Sequence, residues 1–175
     1  MRFQPLALEG VWLVQMERRE DPRGFFARSF CADEFAAHGL PSSFCQASVS
    51  FNRLKRTLRG MHWQASPFEE GKLIRCTRGA VFDVAVDIRE GSPTRGRWVG
   101  ATLTAENEDA IYIPPGYAHG FQALADETEL LYQMTVAYRD GMARGIRWDD
   151  PAIGVDWPLP DPILSDRDAA LPTLS

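Results

Sequence analysis

From residue 10 to residue 138 this chain is a succession of short β-type runs, broken at close intervals by Gly, Pro and Asn, and that pattern narrows its fold more than any other feature. The runs are Gly10–Met16, Phe25–Phe30, Phe44–Ser50, Thr57–Gln64, Lys72–Arg78, Ala80–Ile88, Arg97–Thr104, Ala110–Ile113, Gly120–Leu124 and Glu129–Tyr138. Spacing of this kind predicts an antiparallel sandwich or barrel, an all-β fold. One helix is expected near Ala32–His38, with Phe35 packed beneath Asp33, Glu34 and Ala36. The tail after Trp148 is rich in Pro and Asp and is expected to wrap the surface as turns, with a helical turn at Ser165–Ala170. Neither a repeat nor a low-complexity linker marks a boundary, so residues 1–175 are read as one domain.

Charge and cysteine usage exclude some classes of function. A net charge of -5 argues against nucleic acid as the main partner, because phosphate backbones need a basic face, while leaving room for a local basic pocket. Cys31, Cys45 and Cys76 are scattered, odd in number and without Cys-x-x-Cys spacing, so they are expected to be reduced, mostly buried thiols in a cytoplasmic protein. No signal peptide is visible, and no window reaches the roughly 18 apolar residues that cross a membrane, so no membrane partner is expected.

Alternation sorts the central strands. Val81, Asp83, Ala85 and Asp87 share one face, and Phe82, Val84, Val86 and Ile88 the other. Tyr132, Met134, Val136 and Tyr138 likewise point one way, placing two phenols where they can line a pocket mouth. Of the three histidines, His62 stands in Leu58-Arg59-Gly60-Met61-His62-Trp63-Gln64 and His119 closes the turn Ile113-Pro114-Pro115-Gly116-Tyr117-Ala118-His119. In small metal-binding barrels a further histidine would stand where this chain has Gln64, and an amide is a poorer ligand than imidazole, so no metal site is expected. The other use of His62 is as a general base, since imidazole titrates near neutrality. That use needs a carboxylate to orient the ring, for which Asp83 and Asp168 are both candidates, with Tyr132 to donate a proton and Lys72 to stabilise an enolate. Arg23, on an Asp-Pro-Arg-Gly turn, and Arg59 are candidates for phosphate. Strict alternation puts Arg59 and His62 on opposite faces, so both reach one ligand only through a bulge or a site shared between subunits.

In these motifs the chain resembles the dTDP-4-dehydrorhamnose 3,5-epimerase family, metal-free cupins acting on nucleotide-linked 4-keto-6-deoxy sugars. The resemblance rests on Asp21-x-Arg23-Gly24-Phe25-Phe26, Phe44-x-Gln46, Leu58–Gln64, Gly71-Lys72-Leu73-Ile74-Arg75, Val81–Asp87, Ser92-Pro93-Thr94-x-Gly96-x-Trp98, Ile113-Pro114-x-Gly116-Tyr117-Ala118-His119-Gly120-Phe121, Leu131-Tyr132, Gly145-Ile146-x-Trp148-x-Asp150-Pro151 and Leu164-Ser165-x-x-Asp168. It implies a cupin-type double-stranded β-helix, or jelly roll, with a few short helices. It also implies that His62 takes a proton from a carbon beside the ketone while Asp168 holds its ring, that Tyr132 returns a proton on the opposite face, and that Lys72 stabilises the oxyanion. By the same resemblance Arg23, Phe26, Gln46, Arg59, His119 and Tyr138 bind the substrate. Asp83 becomes a structural carboxylate. No cofactor is needed, because a 4-ketone already acidifies both neighbouring carbons.

The resemblance further implies a homodimer that shares strands, with Gly10–Met16 and Phe25–Phe30 as the exchanged runs. The chain departs from the family's common pattern at three places. Arg28 stands where a glutamate usually follows the Phe-Phe pair, Ser48-Val49-Ser50 replaces Asn-x-Ser, and Glu70 stands where glutamine is frequent. The expected activity is inversion at C3, C5 or both, in the making of dTDP-L-rhamnose or a related deoxysugar. Other readings are a single-centre epimerase, a 3,4-ketoisomerase, a silent sugar-nucleotide binder and a metal-dependent dioxygenase. The Tyr132 and Lys72 motifs weigh against the ketoisomerase, and retention of both acid and base against the binder.

Overall fold

The computed structural model describes residues 1–174. Thirteen strands and two short helices are present among them. In chain order they are β1 (Arg2–Pro5), β2 (Trp12–Gln15), β3 (Arg19–Asp21), β4 (Gly24–Phe26), α1 (Ala32–Ala37), β5 (Gln46–Asn52), β6 (Leu58–Gln64), β7 (Lys72–Arg78), β8 (Ala80–Asp87), β9 (Trp98–Thr104), β10 (Ala110–Ile113), β11 (Tyr117–Ala123), β12 (Thr128–Met134), β13 (Ala143–Gly145) and α2 (Asp166–Ala169). They form a six-stranded sheet ordered β1-β2-β10-β7-β12-β5, a five-stranded sheet ordered β13-β6-β11-β8-β9, and a separate hairpin of β3 and β4. All strand pairings are antiparallel, as the cupin-type β-sandwich requires.

Three apolar layers follow from the alternation along the strands. Ile74, Cys76 and Leu130 of the larger sheet meet Val81, Ala85, Leu103 and Phe121 of the smaller one in the shared core. Phe82, Val84, Val86 and Ile88 point the opposite way, into a layer covered by Trp157, Val155 and Leu174 of the C-terminal tail. Both faces of β8 are therefore covered, and its Asp83 and Asp87 are fully buried. On the outer face of the larger sheet, Val14, Leu73 and Tyr112 pack against α1 through Phe35. A six-residue helix is not stable alone, so burying Phe35 is what holds it.

Several boundaries differ from those predicted. β12 stops at Met134 because its neighbours end there, Met134 pairing with Gln46 on one side and Lys72 on the other. Beyond Thr135, whose N still donates to Gly71 O at 3.0 Å, the backbone is held by side chains, with Tyr138 N donating to Gln46 Oε1 at 2.8 Å and Arg139 N to Gln64 Oε1 at 2.6 Å. The predicted Phe25–Phe30 strand is only Gly24–Phe26, and β1, β3 and β13 are additional to the expected runs. The Gly10–Met16 run, predicted to be exchanged with a second subunit, already has both neighbours in its own chain, since β2 pairs with β1 and with β10.

Candidate functional site

β6 and β11 carry the two histidines side by side, His62 opposite His119. The register then shifts, so that Arg59 lies opposite Phe121: three residues of β6 span two of β11. This bulge is how Arg59 and His62, three apart, come to line one cavity. Gly60 makes it possible. Its φ is +133°, and a Cβ there would lie 2.5 Å from Gly120 Cα, so neither the conformation nor the spacing tolerates a side chain.

The cavity has a volume of about 370 Å³ and is bounded by both sheets. Arg59, His62, His119 and Phe121 come from the smaller sheet, Lys72 and Tyr132 from the larger, and Ser165, Arg167 and Asp168 from the tail. A second cavity of about 200 Å³ shares Lys72 and Tyr132 as a common wall. It is lined further by Met134, Val136 and Tyr138, the face that alternation groups with Tyr132.

Asp168 reaches His62 from 106 residues away, its Oδ1 lying 2.7 Å from His62 Nε2. The tail is tied down ahead of it: Leu58 N donates to Ile163 O at 2.9 Å and Ile163 N to Arg56 O at 3.0 Å. Ser165 then caps α2, its Oγ accepting from Asp168 N at 3.1 Å. An ionised carboxylate only accepts, so Nε2 carries the hydrogen and the lone pair is left on Nδ1, which has no hydrogen bond among the described residues. Burial lowers the pKa of His62 below 6.5, outweighing the pull of Asp168 in the other direction. The ring is therefore neutral at pH 7, the state a base requires.

His119 has its own carboxylate. Its Nε2 lies 3.0 and 2.9 Å from the two oxygens of Asp83, one strand away and fully buried. Of the two carboxylates left open for His62, Asp168 is the partner and Asp83 belongs to the other ring. The His119 ring meets Tyr132 edge-on at 5.7 Å between centroids. Burial, reinforced by the charge of Asp83, pushes the Tyr132 hydroxyl well above its usual pKa, so it keeps its proton and can give one away.

Lys72 Nζ is 2.7 Å from Glu70 Oε1. Arg59 Nε donates to Asn52 Oδ1 at 2.9 Å. Arg167, absent from the residues expected on sequence grounds, lines the cavity and makes no side-chain hydrogen bond or ion pair among the described residues. Only its position beside Asp168 in the Ser165-x-x-Asp168 motif could have flagged it.

Not every expected residue meets the cavity. Tyr138 lines the smaller one, whereas Gln46 lines neither and holds the Tyr138 backbone. Arg23 and Phe26 project on the β3–β4 hairpin, with the Arg23 side chain 89% and Phe26 77% exposed, and line neither cavity of their own chain. Arg23 is paired with Asp21 at 2.7 Å, and Arg28 with Glu34 at 2.6 Å.

Comparison with known proteins bears directly on this arrangement. The family model described as dTDP-4-dehydrorhamnose 3,5-epimerase matches residues 5–175. A dTDP-4-dehydrorhamnose 3,5-epimerase of Sinorhizobium fredii is 43% identical over 99% of this chain and 90% of its own length. A dTDP-4-dehydrorhamnose 3-epimerase of Streptomyces niveus is 42% identical over 96% of this chain and 81% of its own. Among solved structures, the Legionella pneumophila dTDP-6-deoxy-D-glucose-3,5-epimerase in complex with dTDP-4-keto-L-rhamnose superposes with a TM-score of 0.93 at 38% identity, over 99% of this chain and 92% of that one.

Proposed function

The chain belongs to the dTDP-4-dehydrorhamnose 3,5-epimerase family, and on that premise we propose that it inverts C3 and C5 of a dTDP-linked 4-keto-6-deoxyhexose, in the making of dTDP-L-rhamnose or a related deoxysugar. One observation carries the reading: a neutral imidazole held by a carboxylate on one sheet, and a protonated phenol on the other, line the same cavity. His62 Nδ1 takes the proton from a carbon beside the ketone, and the electron pair of the broken C–H bond passes to the ketone oxygen as an enolate. Lys72 stabilises that oxyanion, a cation fixed where charge develops. Tyr132 then protonates the carbon from the opposite face, which inverts it, and exchange with water returns a proton to the phenolate and removes one from the imidazolium. His119 lines the sugar pocket, and Tyr138 the smaller cavity beside it.

The diphosphate falls to Arg59 and Arg167, whose guanidinium forks suit phosphate oxygens. Arg23 and Phe26 line neither the larger nor the smaller cavity described above and lie exposed on the β3–β4 hairpin, so we assign them to the site of a second copy in a homodimer. Exposed Val49 (61%) and Phe51 (41%) on the edge strand β5 add apolar surface for such an assembly. Cys31, Cys45 and Cys76 are free, which supports a cytoplasmic site of action, although only Cys76 is buried, against the expectation of mostly buried thiols, because Cys31 precedes the surface helix α1 and Cys45 the edge strand β5.

Inversion at a single centre is the second reading, favoured by the 3-epimerase of Streptomyces niveus, whose 42% identity stands beside the 43% of the Sinorhizobium fredii 3,5-epimerase. The test is incubation with dTDP-4-keto-6-deoxyglucose in D2O, followed by NMR. Deuterium at both C3 and C5 is the expected result. Label at one carbon supports the single-centre enzyme, and label at neither, across several 4-keto nucleotide sugars, leaves a silent binder.

A further inference from the structure

Glu70, where the chain departs from the common glutamine, holds an unpaired oxygen and lines the smaller cavity, which shares a wall with the larger one. Its side chain is 7% exposed and its Oε1 holds Lys72 at 2.7 Å. Its Oε2 is buried and has no hydrogen-bond partner among the described residues. A buried carboxylate oxygen without a donor is unfavourable, and such atoms are rare in folded proteins. The neighbouring amide on the same wall cannot play this part. Gln64 donates to Phe68 O and Ala137 O and accepts from Arg139 N, so both ends of it are engaged by backbone. Glu70, Lys72 and Tyr132 all line the smaller cavity, and the last two line the larger one as well.

Lys72 and Glu70 therefore offer a donor and an acceptor side by side, linked to each other by one hydrogen bond. An α-hydroxyketone is the complement of that pair: a carbonyl oxygen that accepts and, on the next carbon, a hydroxyl that donates. We propose that Glu70 reads the C3 hydroxyl of the 4-keto sugar while the Lys72 it holds faces the C4 oxygen, which makes Glu70 a specificity-determining residue of the reaction. This rests on the epimerase reading and adds which substituent the site selects. The terminal torsion of a glutamate is broad and two-fold, so one oxygen keeps Lys72 as the other turns to the ligand. Glutamine would act differently. Beside an ammonium its amide oxygen turns to Lys72 and its NH2 group meets the ligand, replacing an acceptor by a donor.

The experiment compares exchange in D2O for a 3-hydroxy 4-keto substrate and its 3-deoxy analogue, with wild type and Glu70→Gln, at the carbons that wild type labels. Wild type is expected to favour the hydroxylated compound in kcat/KM by about ten- to a hundredfold more than the variant does, the worth of a charge-assisted hydrogen bond. A merely structural effect lowers both substrates alike, so equal preference in the two proteins overturns the assignment. Wild type alone also tests it: 3-deoxy and 3-hydroxy nucleotide sugars bound within twofold of each other overturn it, whether or not the variant folds. Wild type that labels neither compound overturns the epimerase premise instead, and the two failures are thereby distinguished.

Discussion

His62 and His119 face each other across β6 and β11, and each holds an aspartate, yet the two pairs differ in everything else. Asp83 comes from the adjacent strand β8, touches His119 with both oxygens and is completely buried. Asp168 comes from the far end of the chain, touches His62 with one oxygen, and leaves a ring whose side chain is 36% exposed to the cavity. The same chemistry thus serves two ends. The enclosed pair is woven into the sheet, where one imidazole nitrogen meets both oxygens of a carboxylate. The open pair is assembled late in sequence, by a tail that adds an orienting carboxylate to a ring that keeps one nitrogen free.

The two histidines should accordingly fail in different ways. The largest effect expected is on chemistry: His62→Ala lowers deuterium exchange by about 10² to 10⁴-fold, the usual worth of a positioned base. Exchange within tenfold of wild type would remove His62 from the role. Next in size is a stability effect from the other pair. His119→Ala leaves the enclosed Asp83 carboxyl without its hydrogen-bond partner, at a loss of about 1–3 kcal/mol in denaturant unfolding. His62→Ala leaves Asp168 beside an open cavity that water can enter, so its loss should be clearly smaller. Equal losses would erase the distinction between the pairs.

Smaller again is Asp168→Asn, expected to lower the exchange plateau by about 10- to 100-fold through loss of a charged hydrogen bond. Its pH profile carries a sign. In wild type kcat/KM falls as pH drops through the lowered pKa of His62, that is, below 6.5. Asp168 is what opposes the effect of burial, so removing its charge moves this acid limb to lower pH still. A limb moving upward would contradict the assignment of Asp168 as the charge that steadies the protonated ring.

How much of this is legible in the sequence differs between the same two regions. Alternation located both faces of β8 and the Tyr132, Met134, Val136 and Tyr138 face, because period two survives wherever a strand is covered on known sides. β7 and β10 have the boundaries predicted for them. Alternation misplaces Arg59 relative to His62, since the bulge at Gly60 adds a residue that a strict period cannot carry. Strand ends set by side-chain amides, as at Gln46 and Gln64, leave no periodic trace either. Arg23 and Phe26 are plain in the motif, yet the fold leaves both exposed and away from the cavity that holds His62 and Tyr132, since a motif records type and order but not position in space.

The central idea is that proton removal and proton return happen on opposite faces of one sugar, by groups borne on facing sheets. Tyr132→Phe tests it most directly, because phenylalanine keeps the shape and removes only the donor. Incubated with dTDP-4-keto-6-deoxyglucose in D2O, the variant should still incorporate deuterium, by return from the His62 face, while the labelled carbon keeps its original configuration by NMR. Inverted product formed in the wild-type ratio would contradict the assignment of Tyr132 as the acid, and with it the two-faced mechanism.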